Sequence, residues 1–87
     1  MTRSEVCIDI YYLDRSDHIR KDHTHAEASG TVGEVLKYAL RWSGAPITCV
    51  LTPLNKPTVI LPATMTVREL AGKFGTEPRL ELILQES

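Results

Sequence analysis

The chain has 87 residues and a net charge of −1, with 43% hydrophobic and 24% charged residues, which fits one globular domain over 1–87 with a core of modest size. Non-specific nucleic-acid affinity grows with the number of Lys and Arg contacts, and the basic residues here are scattered apart from Arg20–Lys21, so no nucleic-acid partner is expected. No apolar run is long enough to span a bilayer, MTRSEVC lacks a signal-peptide hydrophobic region, and Cys7 and Cys49 fit free thiols in a reducing compartment; a cytoplasmic location with no membrane partner is expected.

Glu5 to Leu13, EVCIDIYYL, reads as a strand rich in β-branched and aromatic residues. Val6, Ile8, Ile10 and Tyr12 share one parity and are expected to face the core; Cys7, Asp9 and Tyr11 take the other face. Asp14-Arg15-Ser16-Asp17 is a turn, because Asp and Ser side chains bond their own backbone. His18 to Ser29 is expected to return as the second strand of a hairpin, with Thr24, Ala26 and Ala28 inward and His23, His25 and Glu27 outward.

Thr31 to Ser43, TVGEVLKYALRWS, places Val32, Val35, Leu36, Ala39 and Leu40 in one helical stripe. Thr31 and Glu34 form a capping box, and Gly44 and Pro46 stop the helix. Ile47 to Thr52 is expected as a short strand with Ile47, Cys49 and Leu51 inward and Thr48 and Val50 outward. Pro53 to Pro57 is a loop, and Val59 to Leu61 a short edge strand between prolines. Thr66 and Glu69 open a short helix through about Lys73, closed by Gly75 and Pro78. In Arg79 to Gln85 the alternation puts Leu80, Leu82 and Leu84 inward and Glu81, Ile83 and Gln85 outward. A single amphipathic helix must bury its stripe on a second layer, so an α+β fold is expected.

This order of elements, the TVGEVLKYAL helix and the RLELIL closing strand resemble the ubiquitin-like β-grasp family over nearly the whole chain. The resemblance implies a mixed sheet of four or five strands wrapped on one main helix, with a short late helix. Conjugated members and sulfur carriers end in Gly-Gly, whereas this chain reads Leu84-Gln85-Glu86-Ser87, so the resemblance implies non-covalent binding of a protein partner rather than conjugation. No catalytic activity and no cofactor are expected. An accessory subunit of a multicomponent enzyme complex, such as an oxygenase, is the alternative, as is a stand-alone inhibitor; a homo-oligomer is open as well.

Parity and the resemblance together give the candidate site. Val50 and Ile83 are expected side by side on the outer sheet face, Leu13 is similar in position to the third apolar contributor, and Glu81 and Thr48 lie near them. Asp9 and Cys7 are expected opposite His23 and His25, and all four are competent metal ligands. Their spacing matches no structural-zinc pattern, so a solvated polar face with no metal is the expectation. Gly30-Thr31-Val32-Gly33 offers helix-start N–H groups to an anion, though the capping box draws on the same donors. Tyr38 and Trp42 are expected at the rim of the core stripe.

Overall fold

The computed structural model describes residues 5–75 and 79–86. The elements are β1 (Glu5–Leu13), β2 (Ile19–Glu27), α1 (Val32–Ser43), β3 (Cys49–Pro53), α2 (Val67–Phe74) and β4 (Leu80–Glu86). They form an α+β fold whose four-stranded sheet has the order β2-β1-β4-β3. The two central strands, β1 and β4, are parallel, and the outer pairs β1–β2 and β3–β4 are antiparallel. A parallel central pair requires a crossover, and the segment from β2 to β4, carrying both helices, supplies it.

The hairpin forms as parity dictates. Asp14 Oδ1 accepts the backbone N–H groups of Ser16 and His18, closing the turn, while Asp14 Oδ2 accepts from Arg20 Nε at 2.8 Å. The register then runs from Leu13↔Ile19 to Glu5↔Glu27. Ile8 and Ile10 are fully buried beneath α1, with Val6, Tyr12 and Ala26 packed at the margin of the core. On the same face of the sheet, beside Ile8 and Ile10, the leucine alternation of β4 buries Leu80, Leu82 and Leu84.

Thr31 caps α1 by accepting the Glu34 N–H, and Gly44 ends it at φ 70° with its N–H on the Leu40 carbonyl. A Cβ at Gly44 would meet no atom within 4 Å, so Gly44→Ala isolates the cost of the left-handed backbone. A loss of about 1 kcal/mol in chemical denaturation is expected.

The two helix starts are stitched together. Val32 and Gly33 N–H donate to the Met65 and Ala63 carbonyls, and Val67 and Arg68 N–H donate to those of Gly30 and Ala28. The helix-start N–H groups at Gly30–Gly33 are not available to an anion, because these first-turn donors, with Glu34 N–H, are already satisfied within the chain.

Two strand expectations need correction. Ile47 lies outside β3 and is 88% exposed, because Pro46 initiates a turn in which the Cys49 N–H donates back to its carbonyl. Thr48 lies in that same turn, and β3 instead extends through Pro53. Val59–Leu61 is not a strand: Val59 N–H closes a turn onto Lys56, and a bond from Leu61 N–H to the Leu51 carbonyl is the contact that ties the segment to β3. Leu61 is still buried, as its inward position requires. The sheet thus has four strands among the described residues, not five. Pro78 and Ser87 lie outside the described residues.

Candidate functional site: the uncovered sheet face and its cleft

The helices cover one face of the sheet. The strand registers place Cys7, Asp9, Tyr11 and Leu13 on the other face of β1, with His25, His23, Lys21 and Ile19 opposite them on β2. Glu81 and Ile83 on β4 are the neighbours of Asp9 and Tyr11, and Gln85 and Thr52 lie beyond them toward β3.

The predicted patch residues are distributed across this face rather than massed. Val50 stands opposite Gln85 and Ile83 opposite Thr52, so Val50 and Ile83 occupy one diagonal of the β3–β4 pair. The other diagonal is closed by a hydrogen bond from the Gln85 amide to Thr52 Oγ1 at 3.2 Å, and the same amide donates to the Pro57 carbonyl at 2.7 Å. This polar link runs between the two aliphatic side chains and explains why Thr52 is fully buried on a face turned away from the core. Val50 and Ile83 are both half-buried. Glu81 is held by Tyr11, whose hydroxyl donates to Oε2 at 2.9 Å; that bond, with burial, raises the phenol above its ordinary range. Thr48 is exposed at the far margin.

Ile83 and Leu13 instead come together at the hairpin end. There the β1–β4 ladder stops at Tyr11↔Ile83, and a cleft of about 930 Å³ opens, lined on one wall by Leu13, Arg15 and Ile19 and on the other by Ile83, Leu84 and Glu86. Ala45 and Pro46, just past the end of α1, also line it. Leu13 is 65% exposed and Ile19 75%, and as Cα partners they form the last rung of the hairpin. Two large aliphatic side chains thus stand exposed side by side, next to a concave surface with a largely apolar lining. Val50, Glu81 and Thr48 do not line the cleft. Ile19 escaped the sequence reading, although a lone isoleucine heading the charged run IRKDHTHAE was a signal for it.

The polar half of the face is organised by Asp9, which is 5% exposed. His23 Nδ1 donates to Asp9 Oδ1 at 2.5 Å, and Arg79 Nη1 lies 3.4 and 3.3 Å from its two oxygens. Burial opposes ionisation of this carboxylate, but the hydrogen bonds and charges of His23 and Arg79 outweigh it and hold Asp9 below its ordinary value of 3.8. A lowered folded-state value means the stabilisation is present above about pH 4 and is lost as the pH falls through the folded value. Thermal unfolding at pH 7 and pH 3 should show it. Asp9→Asn is expected to lower the midpoint at pH 7 and to narrow its difference from the parent at pH 3; an equal difference at both would contradict this.

Cys7 Sγ lies 3.6 Å from His25 Nδ1, two rungs along from the Asp9–His23 pair and on the same face. The register thus sets the four predicted ligand candidates opposite one another, but His23 Nδ1 is committed to Asp9. Among the described residues no three His, Cys, Asp or Glu side chains converge to hold a metal ion. Cys7 and Cys49 are free thiols on opposite faces of the sheet. On α1, Trp42 packs against Tyr12 with ring centroids 5.3 Å apart, at the core rim as expected, whereas Tyr38 is well exposed.

No protein-family model and no curated protein matches this chain. Its fold is similar to that of a solved structure, protomer 1 of the ESX-3 core complex, at a TM-score of 0.67 and 18% identity. The similarity covers 94% of this chain and 18% of that chain, so this chain spans under a fifth of the protein it resembles. Among the described residues no helix is long and apolar enough to cross a membrane. The chain is thus a small α+β domain with a mixed four-stranded sheet and two helices, sharing its fold with part of a component of a protein complex.

Proposed function

We propose that this chain is a ubiquitin-like β-grasp domain that acts as a non-catalytic interaction module, docking the sheet face away from α1 onto a partner protein. The observation that carries the reading is the uncovered face itself: Leu13 and Ile19 stand exposed at its hairpin end, beside half-buried Ile83. The strand order β2-β1-β4-β3 with a parallel central pair, clasping one main helix, supports the β-grasp assignment. The fold shared with part of a core-complex component supports a place within a multiprotein assembly, where this domain is a docking element rather than a reaction centre.

Leu13 and Ile83 are the energetic centre of the interface, with Val50 as a secondary apolar contact and Glu81 and Thr48 at its polar margin. The test is to capture a partner with the intact chain, purify that partner, and measure its affinity for Ile83→Asp and Val50→Asp chains of verified fold. Loss of binding by Ile83→Asp supports the reading, and unchanged affinity in both variants rejects this face.

A further inference from the structure

The cleft at the hairpin end offers backbone as well as apolar side chains. β1 and β4 are paired only as far as Tyr11↔Ile83, yet both strands continue. Tyr12 and Leu13 stay laddered to β2, and Leu84, Gln85 and Glu86 stay laddered to β3. Along β4 the main-chain groups alternate: Leu54 N–H on the Glu81 carbonyl sets Glu81, Ile83 and Gln85 toward β3, so Leu84 and Glu86 turn theirs to the side where the ladder to β1 has ended and the cleft lies. A strand flank of this kind is a template for another extended chain.

Resting on the interaction role above, we propose that the cleft takes an extended, alternately apolar segment of the partner protein, which adds as a strand along Leu84–Glu86 in the place β1 leaves beyond Tyr11. Main-chain bonds to the β4 flank set its direction, and alternate side chains divide between the two sides of the sheet. One set meets Leu13, Ile19 and Ile83; the other meets Ala45 and Pro46. Charge sets the ends of the segment. Asp14 is taken up by Arg20, so Arg15 on the hairpin wall attracts an acidic residue of the segment, and Glu86 on the opposite wall attracts a basic one. A helix in the same place would satisfy its own backbone and leave the flank of Leu84–Glu86 covered without partners.

A phage-displayed library of random dodecapeptides, panned on the full chain, provides the probe, and the strongest binder is then synthesised. The expected binder alternates apolar residues and slows amide hydrogen exchange at Glu86, whose N–H is turned to the cleft, more than at Gln85, whose N–H is turned to β3. Its affinity should fall about tenfold or more when alternate amides on its paired side are N-methylated, and by a similar factor on Ile19→Asp. Failure to enrich any sequence, a binder that is helical when bound, or one indifferent to N-methylation overturns the strand. If a purified partner still loses affinity for Ile83→Asp in any of those cases, the docking face stands and only its extended occupant is wrong.

Discussion

Replacing Leu82 by alanine is expected to cost about 2–5 kcal/mol, the range for emptying a fully buried leucine site that collapses only partly. Leu82 has no exposed surface, and β4 places it between Ile10 of β1 and Pro53 of β3, beneath the helices. Neighbours on both sides are fixed in the sheet ladder, so little can move in to fill the space. A domain of this size has total stability of about 5–10 kcal/mol, so the variant would lose a large share of it. Urea unfolding should show a lower midpoint with an unchanged slope. A cost under about 1 kcal/mol would contradict the central position given to β4.

One residue further along the same strand the expectation reverses. Ile83→Asp is expected to leave the fold intact, because the side chain points to the half-open face beside Tyr11 and the cleft. Affinity for the purified partner should fall by about 2 kcal/mol or more, roughly 30-fold, because a carboxylate in the desolvated centre of an interface has no counter-charge there. Val50→Asp should cost less, since the Gln85–Thr52 hydrogen bond separates Val50 from that centre. Calorimetric titration of the two variants, with circular dichroism as the control of fold, measures both effects. Equal losses would contradict the off-centre place assigned to Val50.

What could be read from the sequence was local. The α1 stripe with Thr31 and Gly44 at its ends, the hairpin parity and the leucine alternation of β4 each follow from neighbours within a few residues, and each formed as expected. Ile47 and Val59–Leu61 misled because β propensity was weighed above the flanking prolines, which favour turns and withhold ladder donors. At the α1 start the capping box was legible as a competitor for the N–H groups, but the larger share of them is taken by carbonyls about thirty residues later in the chain, which no local pattern records. Leu13 and Ile83 were legible as outward-facing apolar residues, and the Asp9–His23 and Cys7–His25 pairs as hairpin rungs. The cleft was not, because it exists where two strands far apart in sequence stop pairing, and no local pattern records that point. Val50 and Ile83 were rightly placed on neighbouring strands, yet the polar diagonal between them depends on one rotamer of Gln85.

The most direct test of the docking face is an NMR titration of the isotopically labelled chain with its purified partner, following backbone amides and methyl groups. The expected result is perturbation centred on Leu13, Ile19 and Ile83, reaching Val50 and Glu81 at the margin, with the outer face of α1 at Lys37, Tyr38 and Arg41 unchanged. Perturbation confined to that outer helix face, with Leu13 and Ile83 silent, would contradict it.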